Sequence, residues 1–415
     1  MRLSRNSNYI VTFFVEFLIL LLSFFIFRLA NERMNSDGFS EFTLTRRNIS
    51  FLQPLLMVGL GVAVPRYMSL NQKRDSYLPS ALILMTGIGL LFVIVLLSAK
   101  HAIANLFFGN SNYSFLILPL VLLLLSYGFH SIVYGYLRGK GLLYWANAFQ
   151  LLNIGISPVL AIVSAKNVEQ YMYFNASFIF VNNLIFIAVM KVRNQTVFNR
   201  KIFGEDSSVL LSYGFPRVFG DFALLALLTL PTYIVLSVQH DLIAGGDIAY
   251  AITLFNLVGA AFGPLSLVLL PEISKFLAES NFILIKKRFY FVVLSSLALT
   301  VTGYFIFMVF HNAILHLLLG SKCRPEIFET AKVVLLGSFG YVLYIVLRSF
   351  LDAIHVKAKN STNLLISLGL YAVLIVFGYL NDTSLFYYLC CFVIAVNLLG
   401  VLTFIKTYYS IKKLE

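Results

Sequence analysis

The chain has 415 residues, of which 60% are hydrophobic and only 12% are charged, and its mean hydropathy is +0.87. Soluble globular domains carry about twice that charged fraction, so the composition excludes a water-soluble fold and indicates a membrane protein. The formal net charge of +13 does not indicate nucleic-acid binding, because the basic residues lie between apolar runs rather than in one soluble patch.

Apolar runs of membrane-spanning length follow one another along the chain. A spanning helix needs about 20 mostly apolar residues, and continuous runs are unlike the alternating pattern of barrel strands. No small-residue cleavage site follows the first run, so we expect a retained span rather than a signal peptide. The sequence predicts an all-α protein with twelve transmembrane helices, at residues 10–30, 44–69, 79–99, 113–137, 142–164, 170–190, 209–238, 247–274, 289–310, 330–352, 362–380 and 384–408.

The longest polar connection lies near the middle of the chain. It predicts a first six-helix lobe at 1–190, a cytoplasmic linker at 191–208 and a second six-helix lobe at 209–415. Most Lys and Arg residues fall on the side of the two termini if the N-terminus is cytoplasmic. The positive-inside rule therefore predicts a multi-pass protein of the cell inner membrane with both termini in the cytoplasm.

The two predicted halves show weak internal similarity at the ends of corresponding helices. Because an even number of spans separates the matching positions, corresponding helices run in the same direction, which indicates parallel repeats about an axis along the membrane normal. The matching residues are Pro65 and Pro271, Arg138 and Arg348, and Asn147 and Asn360. Each match alone is weak, but their common order favours an internal duplication.

Glu16 lies well inside the first apolar run, among Phe13, Phe14 and Phe17. A lone carboxylate at that depth is costly, so intramembrane acidic residues face the protein interior or a wet cavity. We expect Glu16 to face the interior and to pair with a base or take up a proton. A structural hydrogen bond between helices is the alternative that the sequence leaves open.

The segment Tyr213–Asp221 opens the second half of the chain. Arg217 and Asp221 are four residues apart in it, so they share one helix face and can pair. A charged pair at the mouth of an apolar helix favours a wet cavity between the halves. The equally weighted alternative is a helix end whose arginine extends to the lipid headgroups.

Arginines recur at the ends of the predicted helices. Each alone is typical of an anchor at the membrane interface, but together they predict a cavity of positive potential. The planar guanidinium group donates two parallel hydrogen bonds to phosphate, so such a cavity suits an anionic headgroup. These arginines are Arg28, Arg46, Arg47, Arg66, Arg138, Arg217 and Arg348.

Gly and Pro residues concentrate in predicted helices two, seven and eight. They often serve close packing in membrane helices, and they also break or bend a helix that lines a cavity. The residues are Gly59, Gly61, Pro65, Gly214, Pro216, Gly220, Gly263, Pro264 and Pro271. We expect these three helices to bend during transport.

Enzyme signatures are missing from the sequence. It has no P-loop, no His and carboxylate cluster with metal spacing, and three cysteines that give no disulfide or metal pattern. The outer connections, near residues 31–43, 100–112 and 311–329, are too short to hold a catalytic domain. We therefore expect no catalytic residues, no metal and no cofactor.

Three stretches resemble polysaccharide repeat-unit flippases of the multidrug/oligosaccharidyl-lipid/polysaccharide exporter superfamily. They are Phe51–Arg66, which ends Gly-Leu-Gly-Val-Ala-Val-Pro-Arg, the block Tyr213–Asp221, and the region of Arg348, Asp352 and Asn360. The resemblance extends over nearly all of the chain in length, span number and two-half organisation. It implies an inverted-V bundle of two six-helix lobes that moves a polyprenyl-pyrophosphate-linked oligosaccharide, by alternating access, for O-antigen, lipopolysaccharide or capsule synthesis.

The resemblance also implies roles for charged residues and for partners. Substrate binding falls to Arg28, Arg47, Arg66, Arg217 and Arg348, and ion pairing or cation coupling to Glu16 and Asp221. The implied coupling ion is H⁺ or Na⁺, and the implied partner proteins are a polysaccharide polymerase and glycosyltransferases. Two alternatives remain: a cation-coupled multidrug exporter of the same superfamily, and a membrane polysaccharide polymerase or ligase.

Overall fold

The computed structural model describes residues 5–70, 76–192, 200–355 and 359–414. Regular structure in these residues is helical. The α-helices are α1 Arg5–Arg33, α2 Ser36–Met57, α3 Leu60–Leu70, α4 Tyr77–Ser98, α5 Lys100–Phe108, α6 Ile117–Gly139, α7 Leu143–Gln150, α8 Ser157–Ser164, α9 Val168–Val192, α10 Arg200–Gln239, α11 Leu242–Ala278, α12 Phe282–Leu319, α13 Pro325–Val334, α14 Ser338–Ile354, α15 Lys359–Leu380 and α16 Leu385–Lys412. Short 3₁₀ segments at Ser111–Leu116 and Leu335–Gly337 precede α6 and α14, and a π-helical segment, Leu151–Ile156, joins α7 to α8.

The helices agree with the predicted fold class. Within the described residues, 11 helical segments are long and apolar enough to cross a membrane, and the count is 12 if the bent pair α2–α3 is one span. The prediction of an all-α membrane protein is therefore confirmed.

The connections that the sequence predicts on the outer side are partly helical. The region 31–43 contains the start of α2 at Ser36, and α5 occupies Lys100–Phe108. At the first of these, the Asn35 side chain caps α2 by accepting a hydrogen bond from the Gly38 amide at 2.9 Å. A helix can continue through polar residues beyond the end of an apolar run. The length of an apolar run therefore does not predict where the helix ends.

Packing divides the chain into two compact units. The first contains Met1–Phe219 and Leu318–Lys322, and the second contains Gly220–Leu317 and Cys323–Glu415. The boundary lies inside α10, whereas the sequence predicts a linker at 191–208, of which residues 193–199 lie outside the described residues. The domain limits at 190 and 209 therefore stay a prediction.

Helix α6 is the centre of the first unit. It packs against α3, α4 and α9. The span that contains it has 67% of its apolar window buried, against 28% for the span formed by α4. Leu120, Leu124 and Tyr136 are fully buried along it. Burial of this apolar surface between helices is what holds α6 in place.

Helix α14 has the same central place in the second unit. It packs against α11 and α16, and 72% of its span's apolar window is buried. Val346 and Phe350 join a buried cluster with Phe289 of α12. A Cβ at Gly340 or at Gly400 would overlap backbone atoms of the facing helix, so glycine permits the close approach of α14 and α16. As the fourth and tenth spans, α6 and α14 occupy equivalent positions in the predicted duplication.

A sharp break separates α2 from α3. Val58 and Gly59 have φ values of +46° and +77°, and the two helices meet at 51°. Positive φ is unfavourable for a β-branched residue and free for glycine. Of the three helices predicted to bend, the second is thus broken here, whereas α10 and α11 are continuous over Arg200–Gln239 and Leu242–Ala278. Bending during transport stays a prediction.

Candidate functional site

A glycine contact sets the position of α10 beside the break between α2 and α3. A Cβ at Gly59 would overlap the backbone of Gly214 on α10, and a Cβ at Gly214 would press on Val58 and Gly59. Only residues without side chains allow the two backbones this close. The contact places Tyr213 against α3, within reach of Arg66.

Tyr213 is the shared partner of two arginines that the sequence predicts to bind substrate. Arg66 Nη1 donates to the Tyr213 phenolic oxygen at 3.0 Å, and its guanidinium carbon lies 4.5 Å from the ring centroid. Arg217 Nη1 donates to the Tyr213 carbonyl oxygen at 2.8 Å, and its guanidinium carbon lies 3.6 Å from the same centroid. Both arginines are exposed. We call Arg66, Tyr213 and Arg217 the Tyr213 cluster.

Glu16 contacts a second cluster, on α6 of the first unit. Its carboxylate is hydrogen-bonded to Tyr134 and interacts electrostatically with Arg138. Arg138 Nη1 donates to the Tyr134 hydroxyl at 3.4 Å. The carboxylate therefore has both a hydrogen-bond donor and a cation beside it, but Glu16 is exposed rather than turned into the interior as the sequence predicts. Its part in ion pairing or cation coupling stays a prediction.

The second unit has a related cluster on α14. Tyr344 is hydrogen-bonded to Arg348, and Asp221 and Asp352 both act on it electrostatically. Asn360 of α15 donates through Nδ2 to Asp352 Oδ1 at 2.7 Å and to the Arg348 carbonyl oxygen at 3.2 Å. Two of the predicted site residues, Asp221 and Arg348, are thus brought to one tyrosine.

The remaining predicted arginines lie elsewhere in the first unit. Arg28 Nε donates to Glu32 Oε1, one turn further along α1, at 2.9 Å. Arg47 is buried, with 5% of its surface exposed. Its neighbour Arg46 donates to Ser23 Oγ at 3.0 Å. These contacts do not bring Arg28 or Arg47 to the Tyr213 cluster, and their part in substrate binding stays a prediction.

The sequence interpretation missed the tyrosines. Tyr134 and Tyr344 each precede, by four residues, one of the two arginines that the internal similarity aligns. That spacing places tyrosine and arginine on one helix face, so the pattern was detectable. The role of Tyr213 was not, because its contact with Arg66 joins residues 147 apart in the chain.

The charged side chains of these three clusters are groups that bind ions. Guanidinium groups donate charge-assisted hydrogen bonds to phosphate or carboxylate, and the carboxylates can accept a proton or a cation. In the described part of the chain, no group of three or more His, Cys, Asp and Glu side chains is arranged to hold a metal ion.

Comparison with protein-family models and with curated proteins finds no match. Solved structures do match. An inward-facing multidrug resistance MATE family transporter of the MOP superfamily superposes with a TM-score of 0.72 at 14% identity, over 100% of this chain and 96% of that one. The lipid II flippase MurJ in an inward closed conformation superposes with a TM-score of 0.73 at 15% identity, over 98% of this chain and 90% of that one.

A third solved structure is a MOP superfamily transporter from Pyrococcus furiosus described as having a binding pocket of reverse polarity. It superposes with a TM-score of 0.65 at 14% identity, over 98% of this chain and 94% of that one. Identities this low show the fold alone. The chain is a multi-pass helical membrane protein with the fold of MOP superfamily transporters.

Proposed function

We propose that the protein is a flippase that moves a polyprenyl-diphosphate-linked oligosaccharide across the cytoplasmic membrane by alternating access, for surface polysaccharide synthesis. The observation that carries the proposal is the Tyr213 cluster, in which one aromatic ring holds two exposed guanidinium groups. The fold, shared with MOP superfamily transporters that include a lipid II flippase, supports it.

The cluster favours a doubly anionic ligand over a cation. Arginine stays protonated at any physiological pH, so Arg66 and Arg217 carry fixed positive charges. Two like charges held against one ring repel each other, and an anion placed between them relieves that repulsion. A diphosphate offers several acceptor oxygens, which suits the flat, multiple donor geometry of two guanidinium groups.

The test is transfer of a fluorescent polyprenyl-diphosphate oligosaccharide in vesicles that contain the purified protein. Transfer is measured as loss of fluorescence to a membrane-impermeant quencher. We expect the wild-type protein to transfer the lipid and Arg217→Ala to reduce transfer at least tenfold, the loss of about one charge-assisted hydrogen bond.

A matched control removes a positive charge from another exposed helix end. Lys275 forms an exposed pair with Glu279, at 3.7 Å, and exposed pairs contribute about 0–1 kcal/mol. We expect Lys275→Ala to transfer lipid at the wild-type rate. If wild-type vesicles transfer no lipid-linked sugar, the proposed function is wrong; if Arg217→Ala matches Lys275→Ala, the Tyr213 cluster is not the binding site.

A multidrug exporter is the second candidate. Two observations favour it: the fold is shared with multidrug resistance MATE transporters, and Glu16 and Asp221 are exposed carboxylates on spans. Such an exporter would bind organic cations at these carboxylates. Expression in a drug-susceptible host separates the candidates, because resistance that Glu16→Gln abolishes and Arg217→Ala leaves intact would favour drug export.

A further inference from the structure

Each unit carries a tyrosine and an arginine one helical turn apart on its central helix. In the first unit they are Tyr134 and Arg138 of α6, and in the second unit Tyr344 and Arg348 of α14. The tyrosine hydroxyl and the arginine are hydrogen-bonded in both units. An acidic side chain from the first span of the same unit acts on each tyrosine.

The tyrosine and the arginine recur at equivalent positions of the two units. Helices α6 and α14 are the fourth and tenth spans, which the sequence aligns through their terminal arginines. Any one tyrosine–arginine pair at this spacing is an ordinary contact between neighbours on one helix face. An acid from the corresponding first span acts on the tyrosine in both units, through a hydrogen bond from Tyr134 in the first and electrostatically in the second, where Asp352 of α14 also acts on Tyr344. The recurrence of the tyrosine, the arginine and this acid favours a common origin of the two groups.

The tyrosine hydroxyl can hydrogen-bond to the acid and to the arginine at the same time. A phenolic oxygen both donates and accepts hydrogen bonds. Toward Glu16 the Tyr134 hydroxyl can only donate, because an ionised carboxylate only accepts, and toward Arg138 it can only accept. The Tyr134 hydroxyl therefore bridges the two charges. A direct salt bridge between Glu16 and Arg138 would instead neutralise the arginine.

We propose that Arg138 and Arg348 each form an anion-binding half-site within their own unit, and that Tyr134 and Tyr344 are positioning residues that keep these arginines available to the anion. Glu16 in the first unit, and Asp352 and Asp221 in the second, compete with the anion for the arginine. The inference rests on the proposed function only for the identity of the anion, which is then a phosphate group of the lipid-linked diphosphate.

The experiment titrates inorganic pyrophosphate into the full-length protein in detergent and measures affinity by calorimetry. Tyr134→Phe lets Glu16 reach Arg138 directly, so we expect binding to weaken about tenfold, the equivalent of one hydrogen bond to a charged group. Glu16→Gln removes the competing charge, so we expect tighter binding. The double variant with both changes should bind at least as tightly as the wild-type protein.

Restored binding in the double variant distinguishes a positioning role of Tyr134 from a purely structural one. A tyrosine that only supports folding would stay damaged when Glu16 is changed as well. The second unit gives an independent arm, in which we expect Tyr344→Phe to weaken binding and Asp221→Asn and Asp352→Asn each to strengthen it.

Matched controls lie on the same two helices. Tyr136 of α6 accepts a hydrogen bond from Lys140 Nζ at 2.9 Å, and Tyr341 of α14 stacks on Phe255. We expect Tyr136→Phe and Tyr341→Phe to leave pyrophosphate affinity unchanged.

The proposed half-sites are wrong if Tyr134→Phe and Tyr136→Phe bind pyrophosphate with equal affinity. They are also wrong if Glu16→Gln does not restore pyrophosphate binding in the double variant. The two proposals fail separately. Vesicles without lipid transfer, together with the expected pyrophosphate affinities, contradict the flippase and leave the half-sites intact. Lipid transfer with unchanged affinities in all variants contradicts the half-sites alone.

Discussion

At the scale of single residues, Tyr213 offers different groups to its two arginines. The hydroxyl serves Arg66, whereas the carbonyl oxygen and the ring serve Arg217. Tyr213→Phe removes the Arg66 hydrogen bond and keeps the ring, so we expect lipid transfer to fall several-fold. Tyr213→Leu removes the ring as well, and with it a cation–π contact worth about 0.5–2 kcal/mol, so we expect a larger loss. Initial transfer rates in vesicles measure both.

The control for these variants is Tyr144→Phe. Tyr144 is 64% exposed at the start of α7 in the same unit, so loss of its hydroxyl should not alter transfer. If Tyr213→Leu transfers lipid as fast as Tyr213→Phe, the ring does not hold Arg217 in its working position.

The sequence locates the charged residues of these clusters but not their partners. Arginines and carboxylates are easily recognised in apolar spans. Contacts between residues one helical turn apart, such as Tyr134 and Arg138, can also be predicted from their spacing. The Arg66–Tyr213 contact depends on where α10 passes the broken second span. That crossing is a property of packing, and no local pattern encodes it.

Asp247 and Arg324 form a buried ion pair in the second unit, with side-chain exposures of 5% and 18%. Removal of Asp247 leaves the Arg324 charge without this partner and with only 18% of its side chain exposed to solvent, and loss of a partner from a buried pair costs up to about 3–5 kcal/mol. We therefore expect Asp247→Ala to lower the thermal midpoint of the detergent-solubilised protein by several degrees. Glu279→Ala breaks an exposed pair in the same unit and should leave the midpoint within about a degree. Equal midpoints for both variants would contradict the burial of this pair.

At the scale of elements, the break between α2 and α3 depends on one glycine. Gly59→Ala puts a Cβ at φ +77°, which costs about 1–2 kcal/mol, and presses it on the Gly214 backbone. We expect a lower thermal midpoint. Gly61→Ala is the matched variant, because its Cβ would meet only the Met57 side chain at an ordinary 3.6 Å. We expect that midpoint to stay or rise, since alanine favours helix. A loss of stability in Gly61→Ala alone would contradict the described break.

Span positions follow from composition, whereas helix ends and breaks do not. A sufficiently long apolar run in lipid forms a helix, because a helix satisfies its own backbone hydrogen bonds. With α2 and α3 counted as one span, the predicted spans therefore agree in number and order with the helices of the described residues. The sequence singles out Gly59 and Pro65 together, but the break occurs at Val58 and Gly59, before the proline. Pro65 is tolerated inside α3. The backbone carbonyl that loses its hydrogen bond to a proline can find another donor in neighbouring helices, Ser or Thr side chains, or water.

At the scale of the whole molecule, each unit is built around one deeply buried span. The internal similarity predicts this equivalence from only three matched pairs of residues, and the packing of α6 and α14 agrees with it. The predicted duplication would account for the tyrosine–arginine pair in each unit. The orientation of the chain in the membrane is a separate prediction, which rests on loop charges alone.

Cys323 allows a test of that orientation. It lies between α12 and α13, on the outer side if both termini are cytoplasmic. In a background with Cys390→Ser and Cys391→Ser, we expect a small, membrane-impermeant maleimide to label Cys323 once the outer barrier of the cell is opened. In a further Cys323→Ser background, Ser280→Cys places a thiol in the exposed turn between α11 and α12. We expect this thiol to react only after the cytoplasmic membrane is permeabilised.

The labelling of Cys323 should also depend on pH. Burial raises the pKa of its thiol, and Asp247 adds to the rise while Arg324 opposes it. The thiolate is the reactive form, so a raised pKa leaves less of it at neutral pH, and the labelling rate should climb as pH increases through the alkaline range. Asp247→Asn removes the acid's contribution and should speed labelling at neutral pH. An odd number of spans separates positions 280 and 323, so they lie on opposite sides of the membrane. If the maleimide labels Ser280→Cys in cells with an intact cytoplasmic membrane and does not label Cys323, the predicted orientation is wrong.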